Sequence, residues 1–504
     1  MTAIREGFEY EFSRIAPGEG AHIDPPSIAV YETLVAKGPD RAAHPMMVDH
    51  WRDGEDRNEW ILRTRPGLTF HSGAPCDAPA IVAALRHLRD IHGSGDQLWY
   101  WDPVDTVEAL DEDTIRIRTH YPYGRLPSLL WGTHTAIHCE ASRQRDPDAF
   151  GIEVIDGSGP YIIDRWSPTR LTGRRWDAYP GTPAMFIAER GVALSETIEW
   201  FAIPDETART DALLGDDIDV VHAPDLTRVG ELRDDPRLAV VEYPQPSCAY
   251  LALDWRLSEL GLDDRATRQA LSMAIDRDEI VRDALDGHGT AAMNAIPAVD
   301  EYHDPGASKI VFDRGRARRM LAEAGWRAGA DGILARGDQR FSIACLGQDD
   351  SVMRRITEAA AKQLLTVGVE LRTRYELPFK DFYEACIEGE QAIVSKWLWP
   401  DATDALIGFT ATWGRPHPNW QHASSSALDD AYAGWLRAES HADLSRAASH
   451  VQSVASEELP LIPLVVPTDI WAFDRRLRGY RPILGGLYPF YQDATLSSTG
   501  LAAG

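Results

Sequence analysis

Strand-like and helix-like segments alternate along almost the whole chain. Residues 59–63, Glu-Trp-Ile-Leu-Arg, form a short apolar run between polar ends and predict a strand. Residues 77–88 predict a helix, with Asp77 as its N-cap and Pro79 in the first turn, where a missing N–H costs little. Residues 114–119 alternate with period two, as a half-buried strand does. Residues 205–218 predict a helix stopped at Gly215, and the stretch from Ile218 to Val221 enters a buried strand. Residues 265–285 carry apolar side chains at helical spacing, residues 314–324 predict an amphipathic helix closed by Gly325, and residues 353–365 predict another. Gly368 and a strand over 369–373 follow; two helices are predicted over 427–457 and a short buried strand over 461–466. This order predicts α/β lobes, each a sheet covered by helices. At 504 residues the chain exceeds the roughly 250–300 at which one core stops growing, so two or more lobes are expected.

Composition narrows the function. With 51 basic and 78 acidic side chains the formal net charge is −27, which repels nucleic acid and anionic lipid headgroups. No stretch approaches the roughly 18–20 apolar residues of a membrane span. Residues 1–10 show neither an apolar h-region nor a cleavage site, so read literally the sequence stays in the cytoplasm. The five cysteines, Cys76, Cys139, Cys248, Cys345 and Cys386, form no C-x-x-C pair; they are free thiols, or include one long-range disulfide in an oxidising compartment. There is no G-x-S-x-G, no G-x-x-x-x-G-K-[ST] and no paired metal-ligand motif, so an enzyme is not expected, and no cofactor.

Several short segments occur in a fixed order. Leu62-Arg63 and Pro66-Gly67-Leu68-Thr69-Phe70-His71-Ser72-Gly73 come first, then Gly157-Ser158-Gly159-Pro160-Tyr161. Ala212-Leu213-Leu214-Gly215 leads into Ile218-Asp219, and Arg268-Gln269-Ala270-Leu271 leads into Ala274-Ile275-Asp276-Arg277. The last is Ala317 to Trp326. Together they resemble the extracytoplasmic solute-binding proteins of ABC importers, in the family that carries oligopeptides, dipeptides and nickel chelates. The sequence departs from that pattern at Ala80, where an acidic residue is usual, at Trp176 in place of Asn, and at Asp254 in place of Asn.

The resemblance implies a two-lobed periplasmic-binding-protein-like clamp (type II, cluster C) with an extra subdomain on lobe one. Lobe one would comprise residues 1–35, 158–250 and 466–504, the accessory subdomain 36–157, and lobe two 251–465. It implies capture of a small polar ligand, a peptide or a related compound, between the lobes and delivery to ABC permease subunits, at a periplasmic or cell-surface location. A monomer is expected from the way such clamps work. The same clamp also accommodates an oligosaccharide, an opine-like conjugate or a metal chelate, or serves as a cytoplasmic ligand sensor; such sensors usually carry a DNA-binding segment, and no basic helix-turn-helix region is evident.

The candidate ligand residues follow from the same resemblance. Peptide-binding relatives have a W-x-x-D-x-x-D-P-like loop whose aspartate pairs with the ligand's α-amino group. Here Trp397, Asp401 and Asp404 stand at that place, one residue further apart, and Ala405 replaces the closing proline. The alternative for either aspartate is a helix N-cap. Trp397, Trp399, Trp413 and Trp420 offer faces that stack on sugars, rings and cations, or pack a core. Asn419 offers an amide to a polar ligand group. On lobe one, Gly20 and His22 lie in the loop Pro17 to His22, where relatives contact ligand; a plain surface turn is the alternative. His417 and His422, near the same cleft, raise a metal or chelate site that no ligand motif supports.

Overall fold

The computed structural model describes residues 3–12, 14–18, 25–39, 42–54, 56–92, 101, 103–132, 135–376, 379–396, 402–414, 419–482 and 490–497. The chain divides into two compact units, Met1–Tyr243 with Asp469–Gly504, and Pro244–Thr468. The divisions at 243/244 and 468/469 compare with 250/251 and 465/466 expected from the sequence.

In the first unit, Ala3–Phe8 pairs in parallel with Thr197–Ala202 and with Val220–His222. Arg170–Arg175 and Tyr161–Ser167 extend the sheet antiparallel beyond Thr197–Ala202. Residues 471–473 close its other side against Val220–His222. Phe8, Tyr161, Trp200, Trp471 and Tyr491 fill the core beneath it. A separate antiparallel sheet of four strands, Val48–Asp53, Glu59–Thr64, Thr114–Thr119 and Val104–Ala109, carries the helix Ala78–His92. Asp77 caps that helix, its Oδ1 accepting from Ala80 N at 3.0 Å. Ile81, Leu85 and Leu88 from the helix and Leu62, Ile115 and Ile117 from the strands make a core of their own.

Two of the ordered segments meet here. His71 N donates to Gly157 O at 2.8 Å, and His71 Nε2 lies 2.9 Å from Gly159 O. Gly159 N donates to Val30 O at 2.8 Å. A Cβ at Gly157 would lie 2.1 Å from Val30 O, so the turn requires glycine for close backbone approach. Tyr161, fully buried, donates its hydroxyl to Ser195 O at 3.0 Å and holds the following strand.

In the second unit the strand order is Glu370–Glu376, Ser342–Gln348, Ala392–Lys396, Ala249–Leu253 and the first part of Ile462–Asp474. The strand expected to stop at 466 runs on to Asp474, because apolar residues Ile470, Trp471 and Ala472 continue the buried pattern beyond Pro467 and Thr468. The helical spacing over 265–285 resolves into two helices, Arg265–Ala274 and Arg277–Ala284. The break has a cause: Asp276 caps the second helix through Glu279 N at 3.1 Å, and Gln363 Oε1 accepts from Asp276 N at 2.6 Å.

The same segment's two arginines are structural. Arg277 is buried and donates from Nε to Pro463 O at 2.8 Å and from Nη2 to Ser272 Oγ at 2.9 Å. Arg268, also buried, donates from Nε and Nη2 to Glu458 O and lies 3.5 Å over the Trp255 ring. Each thus ties its helix to a chain segment far along the sequence. Gly325 takes φ +90° after Arg314–Glu323, as a helix C-terminal glycine does. All five cysteines are free and buried. Among the described residues no helix is long and apolar enough to cross a membrane.

Candidate functional site

The described parts of the expected ligand region lie in the second unit, residues 402–414, with the helix Ala402–Thr410, and residues 419–423. The helix starts just beyond the strand Ala392–Lys396, whose Ser395 pairs in register with Tyr250 of Ala249–Leu253. Asp404 sits in the helix's first turn, half-buried, where the helix dipole favours a negative charge. Its Oδ1 accepts a hydrogen bond of 2.7 Å from Trp435 Nε1. Trp435, on Ser426–Leu436, is fully buried and meets the Tyr302 ring edge-on at 5.2 Å. The carboxylate is therefore aimed by a rigid indole.

The other described candidates divide. Trp413 is 43% exposed in a short 3-10 turn, Thr412–Gly414, and meets the Tyr432 ring edge-on at 6.1 Å. Trp420 is buried, edge-on to Phe409 and to Tyr383 at 5.3 Å each, and packs the core. Asn419 is fully buried: Nδ2 donates to Ala411 O at 3.0 Å and Ala423 O at 2.9 Å, and Oδ1 accepts from Ala423 N at 2.9 Å. That side chain closes its own loop, a correction to the expectation that its amide meets a ligand. His422, at φ +52°, places Nδ1 3.5 Å from Asp254 Oδ1, and Arg256 clasps the same carboxylate at 2.7 Å. Among the described residues it belongs to no cluster of metal-donor groups. Gly20, His22, Trp397, Trp399, Asp401 and His417 lie outside the described residues.

In the first unit the described base of the loop that leads to Gly20 is well held. Ile15 N donates to Gly151 O, Tyr31 hydroxyl donates to Ile15 O at 2.9 Å, and Arg14 donates to the carbonyls of Pro147, Asp148 and Phe150. The same unit holds a charged cluster with no local sequence signal. His222 lies between two carboxylates, Nδ1 3.0 Å from Glu9 Oε2 and Nε2 2.6 Å from Asp469 Oδ1, its ring 4.3 Å from that of Trp471. Burial works against a charged ring there, but the two carboxylates outweigh it and push the imidazole up to about 10. Glu6, fully buried, accepts from the hydroxyls of Tyr480 and Tyr491; burial pushes its carboxyl up to about 7 despite those bonds.

The family model for bacterial extracellular solute-binding proteins, family 5 Middle, matches residues 42–419. The chain belongs to this family. As a family 5 protein it is a solute-binding component of an ABC importer. It is similar to the glutathione-binding protein GsiB of Escherichia coli (strain K12), 21% identical over 465 residues, covering 89% of this chain and 86% of that one. Its fold is that of the periplasmic binding proteins. It is similar to the oligopeptide-binding protein AppA of Bacillus subtilis, solved with a nonapeptide, with TM-score 0.86 at 19% identity and coverage of 98% and 99%. It is likewise similar to DppA of Helicobacter pylori, solved with the peptide STSA, with TM-score 0.85 at 16% identity and 98% coverage of both chains.

Proposed function

We propose that this solute-binding protein captures a small ligand of the peptide class, recognised through a free amino group, and hands it to the importer's permease outside the cytoplasm. The observation that carries this reading is Asp404, a half-buried carboxylate in a helix's first turn, oriented by Trp435 Nε1 at 2.7 Å. A half-buried aspartate in the expected ligand region suits a cationic ligand group such as an α-amino group. The ligands named for relatives agree in chemistry: glutathione, a nonapeptide and a tetrapeptide each offer an α-amino group. Trp397, Trp399, Asp401 and Trp413 join Asp404 from lobe two in this reading, and Gly20 with His22 from lobe one.

Delivery needs no chemistry on the ligand. A ligand held by both lobes at once gains its full set of contacts only when they close, so it shifts that equilibrium by its differential affinity. The division of the chain at 243/244 and 468/469 supports lobes of this composition. A second reading, an oligosaccharide or other ring-bearing ligand, is favoured by the exposed indole of Trp413.

Calorimetric titration with a pool of short peptides and with the same pool N-acetylated separates these. Binding of the free amines alone supports the proposal. Equal binding of both pools removes the amino group from recognition, and binding of an oligosaccharide with neither pool favours the second reading.

A further inference from the structure

The accessory four-stranded sheet carries a feature that solute capture does not use. His87, on the helix Ala78–His92, Glu140, the first residue of Glu140–Arg145, and His138, two residues before it, each place a donor atom within 4.8 Å of those of the other two. Their rings identify the neighbourhood: His87 and His138 are edge-to-face at 5.5 Å, and His138 lies 5.5 Å from Phe150. His138 is fully buried and Glu140 is buried.

The hydrogen bonds around Glu140 decide what the imidazoles can do. Its Oε1 accepts from Arg143 Nη2 at 2.7 Å and Gln144 Nε2 at 2.8 Å, and its Oε2 accepts from Arg143 Nε at 2.7 Å. His138 Nε2 lies 3.1 Å from the same Oε2. A carboxylate so placed takes the Nε2–H, which leaves the lone pair of a neutral ring on Nδ1. That Nδ1 is buried and has no hydrogen-bond partner among the described residues. His87 Nε2, from the facing helix, is buried and equally without one. Two buried ring nitrogens without a hydrogen-bond partner, on imidazoles whose centroids are 5.5 Å apart, demand an explanation, because each has lost its solvation.

We infer that His87 Nε2 and His138 Nδ1 form a two-histidine site for a divalent transition-metal ion of the zinc class, with Glu140 as the carboxylate that orients His138. Imidazole nitrogens suit zinc, copper and nickel, and a metal-ligating histidine characteristically donates its other N–H to a carboxylate. Donors on a tetrahedral zinc sit roughly 3.3 Å apart, given bonds of about 2.0–2.1 Å, so the donor groups of this cluster, within 4.8 Å of one another, draw together as an ion binds, with the half-buried His87 the freer to turn. Arg143 already neutralises Glu140, so the ion's remaining positions fall to water or an incoming anion. His87 and His138 stand far apart in the sequence without a ligand-spacing motif, which is why only the fold brings them together.

The test uses tag-free, chelator-stripped full-length protein titrated with Zn²⁺ by calorimetry, and with Co²⁺ by visible absorption, which reports nitrogen ligation directly. The expected result is one equivalent bound, with His87→Gln weakening it at least tenfold while leaving the circular-dichroism spectrum unchanged. His138→Gln should do the same; since that residue is fully buried and the variant risks misfolding, His87→Gln is the deciding one. No binding by the wild type, or equal binding by His87→Gln, overturns the inference and leaves a bridging water as the partner of both rings.

Discussion

Trp435 Nε1 donates to Asp404 Oδ1 at 2.7 Å, across 31 residues of sequence. This bond separates two roles of one carboxylate. Asp404→Asn keeps an oxygen for the indole and removes the charge; it is expected to weaken binding of a free-amine peptide at least tenfold, about 1.4 kcal/mol, with little change in melting temperature. Asp404→Ala removes both, and should cost a further ~1–3 kcal/mol of stability as the indole N–H loses its acceptor. Calorimetric titration and thermal denaturation of the two variants check this. Equal affinity of Asp404→Asn and wild type contradicts the charge-recognition role. Trp397→Ala should weaken binding by a similar factor.

Asn419→Ala is predicted to act on stability alone. The side chain's bonds to Ala411, Ala423 and the Ala423 N–H lie wholly within the fold. Removing them leaves buried backbone groups unpaired, and a loss of about 2–3 kcal/mol in urea unfolding is expected. Affinity measured well below the midpoint should stay within about twofold of wild type; a tenfold loss would return Asn419 to the ligand.

His222 predicts a stability loss on the alkaline side. Its folded pKa, about 10, lies above the ordinary histidine value, so its contribution is complete below about pH 6.5 and disappears as pH rises through about 10. Glu9 has the opposite sign. Burial opposes its charge, the facing His222 overcomes this, and the carboxyl falls to about 2. Its contribution is present above about pH 4.5 and is lost as pH falls through about 2. The melting-temperature difference between wild type and His222→Gln should therefore shrink from pH 7 to pH 10. A difference constant over that range would show that the ring carries no extra proton.

Gly157→Ala tests the close approach in the Gly-Ser-Gly-Pro-Tyr turn. A Cβ there would lie 2.1 Å from Val30 O and 2.8 Å from Tyr31 Cδ1, both in the same unit. A destabilisation of at least about 1–3 kcal/mol is expected, as for other overpacked sites. A variant as stable as wild type would mean that the turn relaxes freely.

Local signals were legible because their chemistry is local. Asp77 caps Ala78–His92 through a bond three residues away, and Gly325 ends a helix by its own φ. The helix break at Ile275–Asp276 was not legible from apolar spacing, which registers neither the Asp276 cap nor Gln363, 87 residues distant, that holds Asp276 N. The length of Ile462–Asp474 was hidden by Pro467 and Thr468, which interrupt the apolar run without ending the strand. At the candidate site, the resemblance to the loop of peptide-binding relatives suggested Asp404, but Trp435, which orients it, lies on another helix. Asn419 and Trp420 drew notice as polar and aromatic side chains, and pattern alone does not tell a loop clamp or a core indole from a ligand contact. His222 gave no signal at all, since Glu9 and Asp469 are 213 and 247 residues away.

Native mass spectrometry of the protein as purified, and after incubation with a cellular peptide extract, tests the central claim most directly. The account predicts a single bound molecule that is released on denaturation and fragments as a peptide or peptide conjugate. A released sugar, or a protein that stays empty in the presence of the extract, would contradict it.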